Sequence, residues 1–161
     1  MCFYKRDNST KYNADEFLLF CSDKMTEKLC TDAEENTKEQ SDECLWHTLR
    51  QFRVTASKIS ETSKCNTPEG VLKESIFGAQ MYDSVYMERG RLLEKEIIKE
   101  LETEYETKIK KVGLMLSSSL PALGASPDGI SEEFVVEIKC PAKVSTVKNY
   151  ISLKGDVVKK Y

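Results

Sequence analysis

The sequence predicts an α/β (α+β) protein in which helices come first and a small β-meander follows. Apolar residues recur at helical spacing over residues 84–105, whereas they alternate with polar residues over 134–140, as in a half-buried strand. A Ser-Ser-Ser-Leu-Pro run and an Asp-Gly pair separate the apolar runs that follow residue 108. With 161 residues, 40% of them apolar, the chain is long enough for one domain with a real core.

The first 44 residues predict an N-terminal extension that is partly helical and acidic. Its apolar run, 17–21, suits either a buried strand or part of a helix, because periodicity cannot separate the two over so short a stretch. Residues 13–45 contain ten acidic residues against three lysines. We therefore expect 26–40 to be a surface helix or a loose surface segment.

Within residues 45–59 the sequence predicts a helix with Trp46 and Leu49 on one face, and then a second helix that starts near Thr55 or Ser57. Both are residue types that favour the N-cap position. Hydroxyls and free N–H groups at a helix start, beside the guanidinium of Arg50, would make a phosphate pocket. The plain alternative is an amphipathic helix with solvated arginines and an ordinary cap.

Two further helices are predicted, over about 68–77, starting at Thr67-Pro68 and ending near Gly78, and over 84–105. The second carries Glu94 on or beside its apolar stripe, and Gly90 lies on the same face one turn earlier. A glycine there allows close approach of another backbone, at about 1 kcal/mol relative to alanine. Glu94 is either a solvated residue at the edge of the stripe or a buried acid that needs a cation.

Three strands are predicted, over about 112–116, 122–126 and 134–140, with Asp128-Gly129 in the loop before the third. In the third strand Glu137 and Lys139 share one face, and apolar residues form the other. The plain interpretation is a solvent-facing pair of side chains and an ordinary turn.

The acidic residues of this region have the chemistry of a metal-dependent phosphodiesterase. Cleavage of a phosphodiester requires an activated water and a positive charge on the phosphate, and Mg²⁺ can supply both. Mg²⁺ takes carboxylates, a backbone carbonyl and waters, which Asp128, Glu137, Glu94 and the carbonyl of Ile138 can provide. Lys139 can position the water or stabilise the developing charge.

Composition argues against several classes of protein. The net charge of −3 argues against coating of nucleic acid by bulk charge, although six lysines follow Ile138. The six cysteines form no Cys-x-x-Cys pair, and the single histidine excludes a zinc-finger pattern. No signal peptide or membrane span is predicted. We expect an intracellular protein, nuclear or cytoplasmic, with reduced cysteines and no membrane partner.

Four sequence pieces together resemble a known family. The Ser-Pro-Asp-Gly run at 126–129, followed by Glu-Ile-Lys-Cys-Pro at 137–141, resembles the active-site signature of the PD-(D/E)xK nucleases, specifically the phage lambda exonuclease and YqaJ-type viral recombinase branch. Residues 46–57, with Trp46-His47-x-Leu49-Arg50, are similar to its N-terminal motif, and 90–94 to its helical glycine–glutamate motif. The pieces span residues 45–143 in the family's order.

The resemblance implies a restriction-endonuclease-like core, a mixed β-sheet flanked by helices, and a nuclease domain over 45–161. It implies a metal-dependent exonuclease, with Mg²⁺ as cofactor and Mn²⁺ as an alternative, acting on linear duplex DNA ends in recombination or repair. The roles that it implies are metal ligation by Asp128, Glu137, the Ile138 carbonyl and Glu94, catalysis by Asp128, Glu137 and Lys139, and binding of a terminal DNA phosphate by Arg50 and Ser57.

The family's sheet continues beyond the Glu-x-Lys strand, through a helix and a further strand, whereas this sequence stops at Tyr161. We therefore expect the C-terminal part of the core to be missing. Two alternatives stay open, a non-catalytic DNA-binding remnant of a captured viral or mobile-element nuclease and a nuclease of the same fold acting on RNA. Ring-shaped trimers occur in the phage branch, so an oligomer is a further possibility.

Overall fold

The structure, a computed structural model, describes residues 13–65, 84–152 and 154–158. The predicted helix over 68–77 lies outside these residues. The described residues divide into two compact units, a first one of 13–65 with 112–126 and a second one of 84–111 with 127–152 and 154–158. None of the described helices is long and apolar enough to cross a membrane.

The first unit combines four short helices with a three-stranded sheet. Its elements are α1 (Ala14–Lys24), α2 (Glu27–Glu35), α3 (Cys44–Arg50), β1 (Val54–Thr55), α4 (Ile59–Ser63), β2 (Met115–Leu116) and β3 (Leu123–Ala125), with 3₁₀ turns at Gln40–Asp42 and Ala56–Lys58. The side chain of Asn13 accepts hydrogen bonds from the first N–H groups of α1, and Thr26 does the same for α2. The apolar run 17–21 is therefore helical, and the 26–40 segment contains a helix.

The sheet of the first unit is mixed. β3 pairs in parallel with β1, with Val54 opposite Leu123, and antiparallel with β2, with Leu116 opposite Gly124. The predicted meander is therefore wrong, because β1 comes from the region that was predicted to start a helix. The predicted cap is also wrong at Thr55, whose hydroxyl caps no helix and lies 3.2 Å from the hydroxyl of Ser57.

The core of the first unit is centred on Thr37 and Leu114, which are fully buried. The Thr37 hydroxyl donates to the carbonyl of Ala33 at 2.6 Å and accepts from the N–H of Leu114 at 2.7 Å. At Gly113 a Cβ atom would lie 2.1 Å from the Glu34 carbonyl oxygen, so only glycine permits this backbone contact. The acidic segment 26–40 is therefore not wholly solvated surface, because Cys30, Ala33 and Thr37 are buried along it.

The second unit contains one long helix and a β-hairpin. They are α5 (Val85–Glu104), β4 (Gly129–Ile130) and β5 (Val135–Val136), with a 3₁₀ helix at Val144–Asn149. The helix predicted over 84–105 is confirmed, and its N-cap is Ser84, whose side chain accepts from the N–H of Met87. Gly129 starts a strand instead of lying in a loop, because its residue pair with Val136 extends the hairpin.

The predicted strands are shorter in the structure than in the sequence pattern. Only Met115–Leu116 of 112–116, Leu123–Ala125 of 122–126 and Val135–Val136 of 134–140 are strand residues. The alternation predicted for the last strand is nevertheless present, because Val136 is 7% exposed and Val135 is 64% exposed. That alternation leaves the side chains on the Val135 face open to solvent.

Close packing connects β4 to the residues that follow α5. A Cβ atom at Gly129 would lie 2.3 Å from Cγ2 of Ile109 and 3.4 Å from Cδ1 of Ile98. The carboxylate of Glu102 accepts a hydrogen bond from the N–H of Ile109 at 2.9 Å. Lys110 then pairs with Ile130 through two backbone hydrogen bonds. These contacts hold the start of β4, and with it the residue before Gly129, against the end of α5.

Candidate functional site

The predicted carboxylates and lysine all belong to the second unit. Asp128 comes immediately before β4, and the Glu137–Lys139 segment comes immediately after β5. Because β4 and β5 are paired, the chain ends that carry these residues are neighbours. The N–H of Asp128 donates to the carbonyl of Val136 at 3.0 Å, which extends the hairpin to the site.

The carboxylate of Asp128 is held by the backbone of the segment that follows β5, since it accepts a hydrogen bond from the N–H of Ile138. Burial raises the pKa of Asp128, this hydrogen bond lowers it, and the charge of Glu137 raises it again, so that the net shift is upward. A fixed, half-buried carboxylate with a raised pKa is a common feature of functional sites.

Glu137 and Lys139 form an ion pair on the solvent-facing side of the segment. Burial alone would lower the pKa of Lys139, but the hydrogen bond and charge of Glu137 and the charge of Asp128 outweigh it, so the pKa is raised. The ammonium group therefore stays protonated at neutral pH. In this state it is a source of positive charge and a hydrogen-bond donor, and it cannot act as a base.

Glu94 lies on α5, half-buried, as the predicted stripe requires. The pKa of Glu94 is raised, mainly by burial and then by the negative charges of Asp128 and Glu137. The positive charge of Lys111 opposes this shift without cancelling it. The charges of Asp128 and Glu137 thus act on Glu94, although the three acids come from separate parts of the sequence.

The start of α5 contacts the segment that follows Lys139. Cys140 Sγ lies 3.9 Å from the carbonyl oxygen of Gly90, and the Arg89 guanidinium donates to the carbonyl of Pro141 at 3.3 Å. A Cβ atom at Gly90 would meet nothing closer than Cys140 Cβ at 3.9 Å, an ordinary contact. The expected close backbone approach at Gly90 is therefore wrong, because the neighbouring atoms leave room for a methyl group.

The donor set fits a divalent ion in its chemistry. Carboxylates and a backbone carbonyl are the ligands that Mg²⁺ accepts, and the raised pKa values of Glu94 and Asp128 arise partly from neighbouring negative charge that a cation would neutralise. Within the described part of the chain, however, no three such side chains are gathered into a ready-made metal cluster. Asp128 faces the amide of Ile138 and Glu137 faces Lys139, so the ligand assignments stay predictions.

The predicted phosphate-binding residues belong to the first unit. The guanidinium of Arg50 lies over the ring of Trp46, 3.9 Å from its centroid, and burial lowers the pKa of Arg50. Ser57 is exposed, and its hydroxyl lies 3.2 Å from that of Thr55.

A feature that the sequence analysis missed is the hydrogen bond from the indole N–H of Trp46 to the hydroxyl of Ser126, at 2.9 Å. Both residues lie in motif pieces, but they are 80 positions apart and no spacing rule links them. The structure thus connects the N-terminal motif with the first residue of the Ser-Pro-Asp-Gly run.

A cavity of about 380 Å³ in the first unit contains none of the predicted site residues. It is lined by α1 side chains, including Leu18 and Leu19, and by residues 119–123. Its lining is mostly apolar and includes none of Glu94, Asp128 and Glu137, so the predicted chemistry does not reside there.

Comparisons with known proteins identify relatives. The sequence model described as viral alkaline exonuclease matches residues 19–147, well over half of the chain. Among solved structures, that of LHK-Exo in complex with dAMP is similar with 26% identity and a TM-score of 0.50, over 65% of this chain and 58% of that one. A second structure, the alkaline exonuclease LHK-Exo from Laribacter hongkongensis, has the same identity and coverage and a TM-score of 0.48.

The comparison with curated proteins found no match. The chain spans 58% of the length of LHK-Exo. The exonuclease family predicted from the four sequence pieces is confirmed, and so is the class of fold, a mixed sheet with flanking helices.

Proposed function

The chain belongs to the viral alkaline exonuclease family, and on this premise we propose that its acidic site hydrolyses phosphodiester bonds at DNA ends with a divalent metal ion. Mg²⁺ is the proposed ion, and Mn²⁺ is the alternative. The observation that carries the proposal is the electrostatic coupling of three carboxylates beside a protonated lysine. Burial and the charge of Asp128 both raise the pKa of Glu94, and the Glu137–Lys139 ion pair lies next to Asp128 in the hairpin.

The proposed ligands are Asp128, Glu137, the Ile138 carbonyl and Glu94, the last one directly or through water. The ion, when bound, supplies Lewis-acid charge and an activated water. The chain's own residues have separate tasks. The Ile138 amide fixes the orientation of Asp128, so that no reorganisation is needed at that carboxylate. Lys139, kept protonated by its acidic neighbours, stabilises negative charge that develops on the phosphate.

The proposed substrate is linear duplex DNA, with a role in recombination or repair. LHK-Exo has been crystallised with dAMP, and we extend this deoxynucleotide class to the present chain. The structural neighbour is longer, so activity of the chain by itself is part of the proposal. The metal and DNA assignments are independently testable.

The test is incubation of purified protein with 5′-phosphorylated linear duplex DNA, in Mg²⁺ and in EDTA. Lys139→Ala is compared with the matched control Lys143→Ala, which removes an exposed lysine four residues away. We expect Mg²⁺-dependent release of nucleotides that only Lys139→Ala abolishes. Binding of DNA without digestion would instead support the non-catalytic DNA-binding alternative, and faster digestion of an RNA duplex would reassign the substrate.

A further inference from the structure

We propose that Lys111 is an internal counter-ion of the acidic site, which balances the Glu94 carboxylate while no metal ion is bound and is displaced from it when a divalent ion binds. The proposal rests on the proposed function, because it takes Glu94 as a metal ligand. Lys111 lies outside the four sequence pieces of the family resemblance. It acts through Glu94, so it is a positioning residue. Both residues belong to the second unit.

Strand register places Lys111 opposite Gly129. Lys110 and Ile130 form an antiparallel bridge, in which they exchange two backbone hydrogen bonds of 2.8 and 2.9 Å. Because the two segments run in opposite directions, the next residue along one, Lys111, faces the preceding residue of the other, Gly129. Lys111 therefore lies beside the start of β4, the strand that Asp128 immediately precedes.

The face of the strand to which Lys111 belongs packs against α5. A Cβ atom at Gly129 would meet the side chains of Ile109 and Ile98, so both isoleucines lie on this face. Lys111 comes two residues after Ile109 in an extended segment and therefore shares the face. Glu94 lies one helical turn before Ile98 on α5, on the same side of that helix. Strand alternation and helix periodicity thus bring Lys111 and Glu94 to the same place.

The electrostatics agree with this placement. Burial and the charge of Asp128 raise the pKa of Glu94, and the positive charge that opposes this shift most is that of Lys111, ahead of that of Lys95. The pKa of Glu94 stays raised, so the counter-charge is partial and the site still attracts a cation. Lys111 is exposed, and a lysine ammonium on its flexible stem can withdraw from a carboxylate without breaking a fixed fork of hydrogen bonds.

Displacement of Lys111 predicts opposite effects on two properties. A divalent ion at Glu94 repels the nearby ammonium, because like charges at short range raise the energy. Removal of the lysine charge should therefore tighten binding of the ion, while it leaves Glu94 less well balanced and destabilises the metal-free protein. Loss of a residue that only supports the fold would weaken both properties together.

The test compares Lys111→Met with the matched control Lys110→Met. Methionine keeps an unbranched side chain and removes the charge, and Lys110 is an exposed lysine on the opposite face of the same segment. Both substitutions are made in the wild type and in Glu94→Gln. Tm is measured in EDTA at pH 8 by circular dichroism. Binding of Mg²⁺ or Mn²⁺ alone, without DNA, is measured by isothermal titration calorimetry at the same pH.

We expect Lys111→Met to lower Tm in EDTA by roughly 0.5–4 °C, the range of an exposed ion pair in a chain of this size. In the Glu94→Gln background this loss should vanish, because the carboxylate that Lys111 balances is gone. Lys111→Met should also tighten ion binding roughly two- to tenfold, the effect of one nearby charge close to solvent. Lys110→Met should change Tm equally in both backgrounds and leave ion binding unchanged.

An equal change in Tm for Lys111→Met in the two backgrounds would overturn the counter-ion, and so would ion binding that Lys111→Met weakens or leaves unchanged. Such results, in a wild type that binds the ion, would refute this inference alone. A wild type that binds neither ion would refute the metal site of the proposed function and the displacement with it. The Tm comparison in EDTA decides separately whether Lys111 balances Glu94.

Discussion

The alanine variant of Gly129 tests whether close packing behind β4 holds Asp128 in place. In the structure a Cβ atom at this position would lie 2.3 Å from Cγ2 of Ile109, whereas ordinary contacts begin at 3.4 Å. Either Ile109 or the strand must therefore move by roughly 1 Å. Ile109 is only 9% exposed and cannot turn away into solvent. Asp128 precedes the glycine directly, so movement of the strand also moves the carboxylate.

The expected cost is that of overpacking a filled site, about 1–3 kcal/mol. For a chain of this size, each kcal/mol corresponds to a shift of roughly 2–4 °C in Tm, so Gly129→Ala should lower Tm by roughly 2–12 °C. Misplacement of a catalytic group by about 1 Å can reduce a rate by about 10². The rate of Mg²⁺-dependent digestion by Gly129→Ala should therefore fall by a larger factor than the fraction of folded protein does.

Gly90→Ala is the matched control, because the same methyl group finds room in α5 and alanine is the better helix former. It should raise the free energy of unfolding by about 0.5–1 kcal/mol. Thermal unfolding by circular dichroism measures both variants. Combination with Ile109→Ala removes the atom that the new methyl group meets, so Gly129→Ala should cost less in that background. Additive effects within about 0.5 kcal/mol, or an unchanged Tm for Gly129→Ala, would refute the packing argument.

Three further predictions concern charge and polar burial. Lys139→Ala should lower the kcat of Mg²⁺-dependent digestion by about 10²–10³, the cost of one lost charge-stabilising donor, in single-turnover assays. Glu94→Gln should raise Tm in EDTA at pH 8 and diminish the increase in Tm that Mg²⁺ produces. Because the pKa of Glu94 is higher in the folded than in the unfolded state, the Tm difference between the variant and wild type in EDTA should shrink as pH falls through the raised pKa. A Tm difference that does not change with pH would contradict this prediction. Thr37→Val should cost about 1–3 kcal/mol in urea unfolding, because the N–H of Leu114 loses its acceptor, whereas Thr37→Ser should retain most of the stability.

The long helix was predictable from the sequence, whereas the sheet was not. Apolar residues at helical spacing over 84–105 predict α5, Val85–Glu104, to within a residue at each end. Strands β2, β3 and β5 lie within the predicted ranges 112–116, 122–126 and 134–140, but each is only two or three residues long and its partner was not predictable. β1 pairs with β3 across nearly 70 positions, and no local pattern in Val54–Thr55 announces a parallel partner. The helix start predicted near Thr55 or Ser57 is confirmed by the 3₁₀ turn at Ala56–Lys58 that leads into α4, although the Thr55 hydroxyl makes no capping hydrogen bond.

The site could be predicted residue by residue through motifs, but its internal contacts could not. Spacing predicted that Glu137 and Lys139 share a face, and they form an ion pair. The hydrogen bond from the Ile138 amide to Asp128 depends on the hairpin register, which the sequence alone does not specify. The same holds for the Trp46–Ser126 hydrogen bond, which requires the fold of the first unit.

The direction of the carboxylate pKa shifts relates the proposed function to stability. Burial raises the pKa of both Glu94 and Asp128, and so do neighbouring charges, those of Asp128 and Glu137 at Glu94 and that of Glu137 at Asp128. The metal-free protein therefore bears a destabilising cluster of negative charge, which a bound divalent cation would convert into a stabilising one. Glu94→Gln removes both the repulsion between Glu94 and the neighbouring acids and the carboxylate proposed to bind the metal ion. A variant that is more stable in EDTA but no longer stabilised by Mg²⁺ is the outcome expected of a metal ligand, whereas a merely solvated stripe-edge acid would change neither quantity.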